Sequence, residues 1–148
     1  DVCSSDLRIP TLAFTFEDAN KRIQGSLPGV LGVEFFMLEK GGVAGRLKLR
    51  SDHMAPNGYV HAATIIALAD TCCGNGTLAH LPEGAANFTT IELKSNFLGN
   101  AREGIIVCRA QLVHGGRRTQ VWDAKVMNEA EDRTLALFRS TQMILYRE

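Results

Sequence analysis

HAATIIALADTCCGNGTLAH, His61 to His80, decides the fold. Its residues are apolar or small nearly all the way round, the mark of a buried helix. Asp70 breaks the pattern. A carboxylate is rarely buried unless it is paired or working, so Asp70 marks a site rather than a surface. The run APNGY, Ala55 to Tyr59, is made of turn residues and delivers His61 to the helix N-terminus. Pro82 and Gly84 end the helix near Leu81. A polar loop feeds the helix N-terminus, and a lone acid follows about two and a half turns later. That layout is an active site built around one helix.

On the N-terminal side, FEDANKRIQ (Phe16 to Gln24) predicts a short amphipathic helix stopped by Gly25 and Pro28. Gly32 to Glu39 and Val43 to Arg50 read as two strands around a Gly41-Gly42 turn. On the C-terminal side, Thr89 to Leu98, Gly104 to Val113, Thr119 to Met127 and Arg133 to Tyr146 are β-like. Ile106, Cys108, Ala110 and Leu112 alternate with Ile105, Val107, Arg109 and Gln111, so one face is in and one out. The connections look short, which predicts an antiparallel meander. The expected class is α+β: a curled antiparallel sheet of about six strands wrapped around one long central helix. The other sheet face stays partly exposed and leaves room for self-association.

The chain has 148 residues, the size of one domain. Sixteen basic and sixteen acidic residues cancel, which argues against a nucleic-acid or membrane surface. No apolar run has the length of a membrane span, and the N-terminus lacks the apolar segment of a signal peptide. The opening DVCSSDL (residues 1–7) joins no periodic pattern and reads as a terminal scar or a misassembled start. Residues 1–13 are therefore an N-terminal extension and 14–148 the single domain. Cys3, Cys72, Cys73 and Cys108 match no zinc spacing and read as free thiols of a reducing cytoplasm. His53, His80 and His114 make no metal-like cluster, so no metal is expected.

Helix geometry adds a constraint. Nine residues at about 100° each put His61 and Asp70 on opposite sides of the helix, on the order of 13 Å apart along it. One chain can hardly bring both to one substrate, whereas a two-fold dimer can.

NGYVHAATIIALADTCCG (Asn57 to Gly74), FTTIELKSNFLGNAREG (Phe88 to Gly104) and GGRRTQVWDAKV (Gly115 to Val126) together resemble the hotdog-fold acyl-CoA thioesterases of the phenylacetate-degradation (PaaI-type) group. That family carries a polar residue, a glycine, then His-Gly-Gly, with an acid nine residues after the histidine; His61 and Asp70 keep the spacing. The likeness covers about residues 14 to 147. It implies a hotdog domain that hydrolyses aryl- or medium-chain acyl-CoA thioesters, with coenzyme A thioester as substrate and no cofactor. It also implies active sites shared across a homodimer, with a tetramer as a dimer of dimers. Asp70 is then the general base or the nucleophile, since a buried carboxylate is the more basic. The Ala62 N–H at the helix N-terminus is the oxyanion donor. Ala62-Ala63 replace the family's glycine pair, which keeps the N–H and adds methyls.

The same resemblance gives Thr90 the role of holding water near the acid; the alternative is a solvent-facing strand residue. Asn57 answers to the family's loop Asn/Gln, but that residue lies six before the histidine, where this chain has Ala55. Asn57 is thus either functional or a turn residue, with Gly58 beside it as a candidate substrate contact. His61 either takes part in the chemistry or orients the loop. Gly74 and Asn75 either leave space for an acyl tail or allow close sheet–helix packing. Arg117 and Arg118, with Lys94 and Arg102 as weaker candidates, either bind the phosphates of coenzyme A or decorate a solvated hairpin.

Two other readings share the fold. One is a non-catalytic hotdog protein that binds acyl-CoA or a protein partner, which would have no need of a buried acid. The other, a hydratase, pairs an acid with a histidine five residues away; Ile65 and Asn75 occupy those positions and cannot serve.

Overall fold

The computed structural model describes residues 12–148. Expectations for residues 1–7, for most of the extension and for Cys3 lie outside the described residues.

Helix α1 (Phe16–Arg22) starts at Thr15, whose hydroxyl accepts from the Asp18 N–H while the Asp18 carboxylate accepts from the Thr15 N–H, a reciprocal capping box. The sequence reading has Pro28 as a stop. Instead Pro28 lies in the first turn of a second short helix, α2 (Leu27–Leu31). A proline there loses no helix bond, because the first N–H groups have no partner anyway.

Strands β1 (Glu34–Glu39) and β2 (Gly42–Lys48) form the expected hairpin. Its turn is Lys40-Gly41, with Gly41 at φ 78°, a conformation that favours glycine. Helix α3 (Ala62–Ala79) is the long central helix, with His61 and His80 as its caps. Strands β3 (Ala85–Phe97), β4 (Ile105–Gly115), β5 (Thr119–Asn128) and β6 (Arg133–Tyr146) complete one antiparallel six-stranded sheet.

The sheet order is β1-β2-β4-β5-β6-β3, which corrects the simple meander. After the β1–β2 hairpin, β4, β5 and β6 follow one another by hairpins, whereas β3 pairs with β6 at the far edge. Residues 98–104 are therefore a crossing segment that passes the ends of β6 and β5, not a tight turn. It is held on the way. The Leu98 N–H donates to the Leu135 carbonyl at 2.8 Å, and the Val60 and Leu49 N–H groups donate to the carbonyls of Ala101 and Gly104, each at 2.8 Å. β3 also begins four residues earlier than expected, because Ala85, Ala86 and Asn87 show no alternation.

The core lies between α3 and the concave sheet face. Ile65, Leu68, Ala69, Cys72 and Cys73 pack against Val43, Leu47, Ile106, Trp122 and Val126. From Ala136 onward, β6 turns Phe138, Ser140, Gln142 and Ile144 inward and exposes Leu137, Met143 and Leu145. The far end of α3 is tied down by His80. Its Nε2 accepts from the Gly41 N–H at 2.8 Å, and its carbonyl accepts from Gln120 Nε2 at 2.8 Å.

Gly76 sets the distance from helix to sheet. A Cβ there would stand 2.7 Å from the Trp122 ring and 2.8 Å from a Val43 methyl. Gly76→Ala is expected to destabilise by about 1–3 kcal/mol through overpacking. A urea melt should show a lower midpoint with little change in slope; an unchanged midpoint would contradict the close contact.

Candidate active site

The first cluster is the N-terminal end of α3. The Ala55–Tyr59 loop closes on itself, with the Ala55 N–H donating to the Tyr59 carbonyl at 2.7 Å and the Gly58 N–H to the Ala55 carbonyl at 2.9 Å. Asn57 Oδ1 accepts from the Tyr59 N–H at 3.1 Å, so its oxygen serves the turn. Gly58 has φ 84°.

The His61 N–H donates to the His53 carbonyl at 3.0 Å, and the Thr64 hydroxyl donates to the same carbonyl at 2.8 Å. His61 Nδ1 accepts from the Ala63 N–H at 2.9 Å, and the His61 carbonyl accepts from the N–H groups of Thr64 and Ile65. Among the described residues that leaves the Ala62 N–H without a partner, exposed at the positive end of the helix.

His53, which sequence reasoning passed over, holds this end in place. It is buried, its Nδ1 accepts from the Arg50 N–H at 3.1 Å, and its Nε2 faces the Leu31 carbonyl at 2.8 Å. The only sequence signal for it was its place just before the polar loop.

The second cluster surrounds Asp70. A cavity of about 520 Å³ opens beside it, walled by Arg22, Ser26 and Pro28 of the α1–α2 segment and by Phe88 and Thr90 of β3. Gly74 and Asn75 line it too. Asp70 Oδ1 is sealed from solvent and has no hydrogen-bond partner. Burial pushes its carboxyl above the ordinary value.

Thr90 donates its hydroxyl hydrogen to Gln142 Oε1 at 2.7 Å, and Gln142 Nε2 donates to Ser140 Oγ at 3.3 Å. The Thr90 oxygen therefore faces the cavity as an acceptor. A Cβ on Gly74 would come within 3.2 Å of the Phe88 ring, so glycine there permits close packing as well as space.

The structure thus brings together Asp70, Gly74, Asn75 and Thr90. His61, Ala62, Asn57 and Gly58 do not line the Asp70 cavity. Arg117 and Arg118 lie elsewhere, at a cavity of about 660 Å³ shared with Thr119, Met143 and Tyr146. The Arg117 guanidinium stands 5.9 Å from the Tyr146 ring centre. Ser26 and Pro28 were missed because α2 was missed, proline after a serine cap being the available signal; Arg22 lies on the expected α1, and nothing local sets it beside Asp70.

Cys72, Cys73 and Cys108 are buried free thiols. Burial pushes Cys73 well up, and the Cys72 thiol beside Cys108, together with burial, does the same for Cys108, which leaves both inert.

The Asp70 shift has a stability consequence of definite sign. The folded chain holds this proton to a higher pH than the unfolded chain, whose carboxyl titrates near 3.8. Stability therefore falls as pH rises through that window, and at neutral pH the whole penalty stands. Asp70→Asn should melt higher than wild type at pH 7, with the gap closing towards pH 3.8. A variant that melts lower at pH 7 would mean that the carboxylate has a stabilising partner.

The model of the thioesterase superfamily matches residues 57–134, which include His61, Ala62, Asp70 and Thr90. The 1,4-dihydroxy-2-naphthoyl-CoA hydrolase of Listeria monocytogenes is 28% identical over 115 residues, 78% of this chain and 92% of that protein. The acyl-coenzyme A thioesterase PaaI of Escherichia coli is a more distant relative, 24% identical over 110 residues, 74% of this chain and 75% of its own. A thioesterase from Pseudomonas aeruginosa, 21% identical, superposes with a TM-score of 0.84 over 89% of this chain and 94% of that one, which shows the fold to be the hotdog. The half-buried acid on the central helix thus belongs to a thioester hydrolase, and the chain is a member of the thioesterase superfamily.

Proposed function

We propose that the protein hydrolyses acyl-CoA thioesters with aryl or medium-chain acyl groups, using Asp70 of one protomer and the helix N-terminus of its partner. The observation that carries this reading is Asp70: a carboxylate with a sealed, unpartnered oxygen at the wall of an open cavity. The relatives named above as acyl-CoA hydrolases support the substrate class.

As a base, Asp70 takes a proton from water while the water oxygen attacks the thioester carbon. The C–S bond then breaks and the proton passes to the departing sulfur. As a nucleophile, its oxygen forms a mixed anhydride that water hydrolyses. In either route the carbonyl oxygen gains charge. The unpartnered Ala62 N–H at the dipole end of α3 suits that charge. His61, tied to the Ala63 N–H, shapes this end, with Asn57 and Gly58 forming its rim. Thr90 offers its oxygen to the water. Arg117 and Arg118 are free to meet the phosphates. Neither route draws on a metal or an organic cofactor.

Two features support the dimer. Along α3, Ile66, Ala67, Asp70, Thr71 and Gly74 are only half-covered, although Ile66 and Ala67 among them are apolar. Edge strand β3 is exposed over most of its length, with Ile91 at 53%, Leu93 at 41% and Phe97 at 44%. A long open edge with apolar side chains calls for a partner. A second copy about a two-fold axis covers it and sets Asp70 opposite the partner subunit's Ala62. A dimer of dimers and a cytoplasmic location fit the same reading.

The test is thiol release from a panel of acyl-CoAs. Asp70→Asn, still folded, should lose at least about 100-fold in kcat. The acid limb of the wild-type pH profile should fall above 3.8. Equal activity in the variant removes Asp70 from the chemistry. For the shared site, Leu93→Glu should shift the sedimentation mass from dimer to monomer and abolish turnover with it. A fully active monomer would overturn the shared site.

A further inference from the structure

The outer face of the sheet gathers positive charge, although the chain as a whole carries none in excess. On β5, Trp122 and Val126 turn inward, so Asp123 and Lys125 turn out. The register sets Lys125 directly opposite Arg109 of β4, and Arg139 of β6 directly opposite Lys94 of β3. Like charges directly opposite each other on neighbouring strands are destabilising. Asp123 is the one acid between these two pairs, and it accepts the Arg139 guanidinium in two bonds of 2.5 and 2.8 Å. Lys94, Arg109 and Lys125 are exposed and make no ion pair among the described residues. All five side chains line one hollow of about 500 Å³, which shares no residue with the Asp70 cavity or with the cavity at Arg117 and Arg118.

The surroundings limit what fills it. Glu34 holds Arg46 at 2.9 Å, Glu129 and Asp132 line the neighbouring depression, and Glu92 precedes Lys94 by two residues on the same strand. A nucleic acid or a broad acidic protein surface would run onto these carboxylates; a compact anion would not. A second copy stacked face to face would set cation against cation. Four cations against one acid leave a formal excess of three, which suits a di- or triphosphate better than a single carboxylate. Two of the donors are already oriented, Arg139 by Asp123 and Arg109 by the Phe36 ring, whose centre is 5.5 Å from its guanidinium. Guanidiniums take phosphate oxygens in pairs, and the free lysines add charge. The dimer proposed above adds strands beyond β3 and leaves this face open.

We infer that the hollow is a second ligand site, which binds the polyphosphate group of a small organic phosphate such as a nucleotide between Lys94, Arg109, Lys125 and Arg139.

Calorimetry at low ionic strength with inorganic pyrophosphate, ADP and 3′-phospho-ADP tests it. Wild type should bind ADP at least about tenfold more tightly than the double variant Arg109→Gln, Lys125→Gln. A 3′-phospho-ADP preference of about tenfold or more would name the nucleotide end of coenzyme A as the source; equal affinity would name a free nucleotide. A second variant separates a ligand site from a structural role. Lys125→Glu sets an acid opposite Arg109, so without ligand it should melt about 1–3 °C above wild type. ADP, which should raise the wild-type midpoint, should leave this variant's where it is. Binding that survives both sets of substitutions overturns the assignment and sends the phosphate to Arg117 and Arg118. Silence with all three probes overturns it too, as does tighter binding of a single-stranded DNA than of ADP, the mark of an extended partner. Thioester hydrolysis is untouched by any of these outcomes, because Asp70 lies in another cavity.

Discussion

The contact of Gly76 with Trp122 and Val43 sets how closely α3 lies on the sheet. The same device recurs at Gly45 of β2, where a Cβ would stand 2.9 Å from Cys72 Sγ. Around these contacts Ala69, Cys72, Cys73 and Gly76 keep the helix side thin and Phe35, Leu47 and Trp122 supply bulk from the sheet, while Ile65 and Leu68 supply it from the helix nearer its start. It also explains a helix of modest propensity. Gly74 and Gly76 each weaken a helix by about 1 kcal/mol relative to alanine. α3 holds because it is packed, not because its residues favour it.

Close packing on one side leaves the other side to be covered by something else. The α1–α2 segment covers part of it and leaves the cavity beside Asp70. The length of α3 separates that cavity from the free Ala62 N–H at the helix start. A single continuous helix thus carries both Asp70 and the free Ala62 N–H and keeps them apart within a chain. Association is the direct way to bring such groups together. The half-covered face of α3 and the open β3 edge are where it would occur.

Much of this was legible in the sequence. The all-round apolar helix and its caps gave the central element, the lone acid pointed to a residue that the structure sets beside a cavity, and period two gave β4, β5 and β6 within a residue or two. The order of strands was not legible. Alternation tells which face a strand buries, not which strand it sits beside, so β3 was placed next to β4 when its partner is β6. α2 was lost because proline was read only as a breaker. His53 and Gln142 were invisible for another reason. Their roles come from long-range hydrogen bonds, His53 to Leu31 and Thr90 to Gln142, which leave no local pattern. Asn57 shows the reverse: its turn chemistry is local, and the structure displays it.

The buried polar groups of the core argue that the orphans at the site are not defects. Gln120 bridges Trp122 Nε1 and the His80 carbonyl, Thr77 bonds the Cys73 carbonyl, and Gln142 joins Thr90 to Ser140. A fold that satisfies glutamines at the heart of its sheet has the means to satisfy an aspartate. Yet among the described residues the unpartnered buried side-chain atoms are Asp70 Oδ1, Asn75 Oδ1 and Ser95 Oγ. The first two share one cavity, and the third lies on β3, the strand left without a neighbour on one side. Proteins break the rule of polar satisfaction where function requires it. Here the exceptions among the described residues fall beside the Asp70 cavity and on the open edge strand.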